Sequence, residues 1–424
     1  MKNKLTAIYQ EYPRTFWLII LGTLIDQLGS WLIFPFFGLY ITSKYQVGMT
    51  EVGLLFSIFA ITGVLGSLIG GALTDKFGRK VIIIFGLVIS AASSLLFAFA
   101  PSLNFIYFAG VIVGLFGNMA GPARQAMIAD VLPEDKRADG YGILRVVVNL
   151  AAAIGPAIGG LLAARSYTSL FMMDVITSSI TAVIIFLLVP ETKPEIMPET
   201  SGHREPDETF LETLSGYLRV TKDRLYMFFV FGSLLMVLAY MQLNSTLPVF
   251  LRNEHGVPDQ GYGILLSINA SMVVLLQFWI TRLIKRFQPM KIMAWGMVIY
   301  AVGFSMYGYV SAFWLFITAM VIITIAEMLV TPTGQAIVAK LSPEHMRGRY
   351  MAVFEFSWTI PTAVGPLAAG LVMDNYNPNW VWYACGISML LSACIFAGLH
   401  LHAADNFAAV NGENPSPSLE GITT

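Results

Sequence analysis

Charge is scarce in this sequence. Only 12% of its 424 residues are charged and 56% are hydrophobic, whereas a soluble domain carries about 25% charged residues. That shortage excludes an ordinary water-soluble protein. Cysteine is scarcer still: Cys385 and Cys394 lie nine positions apart in one apolar segment. This is a poor geometry for a disulfide within a helix, and the pair reads as packing residues. The five histidines, His203, His255, His345, His400 and His402, are scattered over loops and helix ends. No metal cluster, nucleophile–base pair or Walker loop is evident, so no metal or other cofactor is expected, ATP is not the evident energy source, and an enzyme is the weaker class. A formal net charge of −1 provides no basic field for nucleic acid.

What the chain has in abundance is apolar runs of roughly 20 residues, the length that crosses a bilayer. Spans are expected near 15–42, 50–74, 80–99, 102–131, 137–164 and 168–189, and again near 224–251, 259–284, 289–309, 312–341, 347–373 and 378–402. The fold class is therefore all-α integral membrane with about twelve transmembrane helices. The first run has basic flanks but no small-residue cleavage site, and more spans follow, so it reads as a retained helix rather than a signal peptide.

Basic residues set the topology. Of 25 Lys and Arg, only Lys44, Arg165 and Arg252 fall on one side, Arg124 and Arg145 lie within helices, and the rest crowd the other side. The crowded side is cytoplasmic by the positive-inside rule, which puts both termini in the cytoplasm of a multi-pass inner (plasma) membrane protein. Pro35 and Pro248 fall late in the first span of each half, where a bend is expected.

The second half repeats the first at a constant offset of 210: Pro122 and Pro332, Gln125 and Gln335, Pro133 and Pro343, Arg137 and Arg347, Gly155-Pro156 and Gly365-Pro366, Gly53 and Gly263. Two pseudo-symmetric six-helix bundles follow, 1–190 and 224–402, with a substrate site between them near the midplane. Residues 191–223 read as a linker with a short amphipathic surface helix, in which Phe210, Leu211, Leu214, Tyr217 and Leu218 recur at helical spacing. The tail 403–424 lacks apolar periodicity and reads as disordered.

Gly71-Ala72-Leu73-Thr74-Asp75-Lys76-Phe77-Gly78-Arg79-Lys80, between the second and third spans, resembles the signature loop of the major facilitator superfamily. Gly71 allows close helix approach, Gly78 a tight turn, and Asp75, Arg79 and Lys80 form a charge cluster at the lip. The resemblance implies a conformational latch, with Asp75 near a helix N-terminus of the other half and Arg79 near an acid ending the fourth span, a place Asp130 fills. Gly155-Pro156-Ala157-Ile158-Gly159-Gly160 in the fifth span looks like the antiporter motif of the superfamily's drug:proton antiporter branch. Its glycines permit close helix packing. The branch's arginine motif in the fourth span is not matched, because Gly110 stands where that arginine would be.

The resemblance implies a secondary transporter, proton-coupled and exporting small lipophilic or drug-like molecules. Uptake, lipid handling and transport-inactive sensing are the alternatives. Its partners would be a small-molecule substrate, protons and the lipid bilayer, with the protein acting as a monomer.

A charge at the bilayer centre costs about 2.5 to 3.5 kcal/mol on insertion scales, so each one marks a partner, a proton or an aqueous cavity. Asp26 in the first span, read as unpaired, is the leading proton-carrying candidate, followed by Glu327 and Glu355. The alternative is a fixed bridge from an acid to Arg124 or Arg145, the latter standing at the repeat equivalent of Glu355. Gln27, Tyr40, Asn149, Tyr240, Gln242, Asn244, Asn269 and Trp358 are candidates to line a cavity.

Overall fold

A computed structural model of the chain describes residues 10–193, 218–343 and 346–410. Among these residues twelve helices are long and apolar enough to cross a membrane. In the first half these are Arg14–Tyr45, Met49–Phe77, Arg79–Ala98, Leu103–Val131, Glu134–Ala163 and Tyr167–Leu188. In the second half they are Arg224–Ser245, Asp259–Ile284, Pro289–Met306, Phe313–Val338, Arg349–Asn375 and Asn379–Leu401. Most limits fall within a few residues of those expected, since a ladder of intrahelical hydrogen bonds must persist for as long as hydrocarbon surrounds it.

The exceptions have local causes. The first span breaks at a short tight helix, Phe34–Phe36, where Pro35 removes a donor. The seventh span ends at Ser245 rather than near 251, and Pro248 sits at the start of the helix Leu247–His255. The fourth span divides into Leu103–Gly117 and Ala120–Val131, and Asn118 Nδ2 donates back to Gly114 O at 3.1 Å. The equivalent tenth span runs unbroken from Phe313 to Leu341 through Pro332, because Glu327 and Met328 replace Gly117 and Asn118. The last helix extends to Val410, so 403–410 continue it instead of forming a disordered tail; Ala403, Ala404, Ala408 and Ala409 favour helix. The rest of that tail, and the amphipathic segment up to Tyr217, lie outside the described residues.

One apolar cluster lies wholly in the first half and a smaller one in the second, while the largest runs from one half into the other through residues such as Phe36 and Tyr262; residues such as Leu68, Leu161, Leu187 and Leu275 stay exposed on the outside. In hydrocarbon those exposed side chains face an equally apolar solvent. The halves meet where the second span packs on the eleventh and the fifth on the eighth. Glycine makes both seams possible. A Cβ on Gly160 would lie 2.9 Å from Gly263 Cα, and its repeat equivalent Gly370 would press Met49 O at 2.5 Å. Gly53, the equivalent of Gly263, abuts Pro366 O and Leu367.

Because the spans are even in number, Arg14 and Leu401 lie on one face, here called the linker end. The opposite, far end is sealed. Asp374 caps the second span by accepting from Met49 N at 2.8 Å and Thr50 N at 2.7 Å. Arg252 reaches across to Leu39 O, Thr42 and Ser43, and Tyr167 donates to Asp259. At the linker end a Cβ on Gly71, Gly121 or Gly142 would meet nothing within 4 Å among the described residues. The protein is closed at the far end and open toward the linker end.

Candidate functional site

A cavity of about 610 Å³ opens in the first bundle, lined by Asp26, Gln27, Trp31, Phe34, Phe59, Phe97, Arg124 and Asp174, with Thr362 reaching in from the second bundle. Its walls are aromatic and its floor is charged. Asp26 is not unpaired as expected: Arg124 Nη2 donates to its Oδ2 at 2.9 Å, and Ser178 Oγ reaches its Oδ1 at 3.4 Å. The two side chains are 10% and 14% exposed, so water screens the pair weakly. The fourth-span break matters here, since the helix carrying Arg124 starts afresh at Ala120.

Glu327 lies in the second bundle and has a different environment. Its Oε1 accepts from Tyr240 OH at 2.9 Å and its Oε2 from Asn269 Nδ2 at 2.8 Å, and that amide also reaches Thr324 Oγ1 at 3.0 Å. No basic group is among these partners. The Trp358 ring stands 6.4 Å from Tyr240, so three of the cavity candidates gather around Glu327 instead of lining the first-bundle cavity. Only Gln27 of the eight is on that wall. Tyr40 donates to Phe97 O in the far-end seal, Gln242 is held by Leu238 O at the seventh-span break, Asn244 is half-buried just beyond it, and Asn149 is exposed on the fifth span. Arg145 and Glu355, at repeat-equivalent positions, are both exposed.

The lip cluster is formed, but within one half. Arg79 Nε binds Asp130 Oδ2 at 2.9 Å, and its Nη1 lies 3.6 Å from Asp75. Asp75 itself is 78% exposed, so the expected contact with the other half is not made in this open state. Gly78 takes φ +101°, a backbone that a side chain would strain. Glu191, which the sequence placed in the linker, caps the third span by accepting from Arg79 N at 2.9 Å and Lys80 N at 3.1 Å. In the fifth span, Gly155 and Gly159 let Trp31 and the Leu32 carbonyl approach, and Gly160 forms the seam described above.

Asp174 is the residue that sequence reasoning missed. It lies about two turns from the far end of the sixth span, where a charge costs less than at the bilayer centre. The available signal was a pair of i, i+4 rows, Ser90 with Ser94 and Asp174 with Ser178, which the fold sets face to face.

Two six-span bundles, joined at one end and enclosing a charged aromatic cavity open at the other, define a membrane transporter. Comparison with known proteins gives the family. A model of the Major Facilitator Superfamily matches residues 19–286 and 230–417, and the chain belongs to that superfamily as a secondary transporter. A Na(+), Li(+), K(+)/H(+) antiporter of Planococcus maritimus is 28% identical over 93% of this chain and 97% of its own length. The quinolone resistance protein NorA of Staphylococcus aureus is 22% identical over 85% and 90%. The crystal structure of the nucleoside transporter NupG superposes with a TM-score of 0.70 at 16% identity, covering 94% of this chain and 100% of that one; it shares the fold.

Proposed function

We propose that the protein is a proton-coupled antiporter of the bacterial plasma membrane that exports small lipophilic molecules as a monomer. Both termini would be cytoplasmic, supported by the crowding of basic residues at the linker end. The observation that carries the reading is the Asp26–Arg124 pair set into the wall of an aromatic cavity.

A proton arriving at Asp26 removes one charge of that pair and leaves Arg124 uncompensated in a weakly screened cavity. A substrate that prefers the intact pair is then displaced, and its return expels the proton. Competition for one cavity is what exchange requires, since each ligand can shift the equilibrium only by its differential affinity. Aromatic walls with few polar groups suit a lipophilic molecule recognised loosely. Glu327, half-buried and bonded among the described residues to neutral donors, supplies a second acid in the other half.

Export follows the antiporter-type glycine motif and the NorA relative. A second reading, exchange of alkali cations for protons, is favoured by the Planococcus relative.

Proteoliposomes carrying an imposed pH gradient decide between transport and its alternatives. Addition of ethidium or a quinolone should collapse the gradient, and should do so more slowly with Arg124→Gln. If no compound in a panel of lipophilic cations and quinolones acts faster than in protein-free vesicles, the efflux reading is wrong.

A further inference from the structure

We infer that Asp174 is the anion of a separate site for an alkali cation, formed between the first, third and sixth spans and reached from the same cavity. The inference deepens the antiport reading, on which it rests for its route to the solvent.

Asp174 is 3% exposed yet lines the cavity, so its carboxylate is shielded by protein on all sides but one. Its Oδ2 accepts from Ser94 Oγ at 2.5 Å, while its Oδ1 is buried without a partner among the described residues. A buried carboxylate oxygen left unsatisfied is costly, and it leaves an acceptor available to a ligand. The charges facing it do not supply one. The first span presents Asp26, already held by Arg124, and the third presents only serines at this level. The sixth span's own neighbours are Thr177 and Ser178.

The surroundings fit a small, hard cation. Oxygens of Thr177 and Asp174 converge near Gly29, where a Cβ would lie 2.6 Å from Asp174 Oδ1 and overlap Thr177 Oγ1, while the Ser94 hydroxyl holds the other carboxylate oxygen. Glycine keeps that corner clear. Hydroxyl and carboxylate oxygens suit hard cations rather than soft metals. A single uncompensated negative charge selects the charge of the ligand: one positive charge gives a neutral site, whereas a divalent ion would leave a net charge in the hydrocarbon.

Below the corner, Ser90 and Ser178 lie 3.4 Å apart and Ser178 reaches Asp26. A row of hydroxyls therefore connects the cation site to the Asp26–Arg124 pair. Proton and alkali ion would compete for Asp174, so one carboxylate could exchange one for the other.

The test uses the full-length protein in nanodiscs with radioactive sodium. Wild-type protein should bind it saturably, with displacement by lithium and potassium, and sodium should raise its melting temperature. Asp174→Asn should abolish both effects, and Gly29→Ala should do so by filling the corner. Should either variant fail to fold, Ser94→Ala keeps the acid and should weaken sodium binding by roughly ten- to a hundredfold, as loss of a supporting ligand does. The inference is overturned if wild type binds no sodium, which would leave Asp174 a proton site only, or if Asp174→Asn binds it undiminished. Either result is distinguishable from failure of the efflux reading, which is measured by pH-gradient collapse with lipophilic compounds.

Discussion

A paired carboxylate in a cavity behaves differently from a lone one when it is removed. Replacing Asp26 by Asn strands Arg124, and breaking a buried pair on one side costs about 3 to 5 kcal/mol. The single variant Asp26→Asn should therefore melt well below wild type and lose proton-coupled exchange. Asp26→Asn combined with Arg124→Gln should recover most of the stability, because no orphaned charge remains, but none of the coupling. Thermal unfolding and counterflow on the same preparations check this, and exchange that survives in the double variant would remove the pair from the mechanism. Both residues were legible in the sequence as charges within apolar runs. Their pairing stood only as the alternative of a fixed bridge, with no acid singled out for Arg124, because the two are 98 positions apart and the helix carrying Arg124 restarts after the fourth-span break at Asn118. Asp174 was hidden by its place nearer the interface, where an acid raises no alarm in a hydropathy profile.

At the scale of helices, the seams rest on backbone approach that only glycine permits. A side chain at Gly160 meets the main chain of Gly263, which has no rotamer to give way. Gly160→Leu should thus prevent the far end from closing and hold the protein open there, with transport lost although the bundles remain folded. Spin labels across the far mouth should show longer distances than in wild type; an unchanged distribution would mean that the fifth and eighth spans do not form the gate. Gly71, with nothing near its Cβ position in this state, is predicted to tolerate Ala without disturbing the open linker end. The repeat offset made these glycines readable as pairs before any coordinates. The offset also explains what it could not convey: Gly117 and Glu327 occupy equivalent positions, yet one ends a helix and the other supplies a half-buried acid. Symmetry constrains the scaffold while the functional groups depart from it.

Across the whole molecule an acid stands at each mouth, Asp374 at the far end and Asp75 at the linker end. Asp374 already caps the second span at the closed far end. Asp75 stands exposed at the open linker end, tethered among the described residues to Arg79 of its own half, where the superfamily's signature loop implies a partner across the mouth. An acid at a helix N-terminus contributes about 0.3 to 2 kcal/mol, enough to change a two-state population roughly two- to thirtyfold. Removing each acid should move the balance in opposite directions. Asp374→Asn weakens the far-end closure and favours the state open at that end. Asp75→Asn weakens a contact that forms only when the linker end shuts, so it favours the state described here. Paired labels at both mouths would read the two shifts together, with one distance growing as the other shrinks. If both substitutions moved the mouths in the same direction, the two bundles could not be rocking about a shared cavity, and the exchange cycle built on that motion would have to be abandoned.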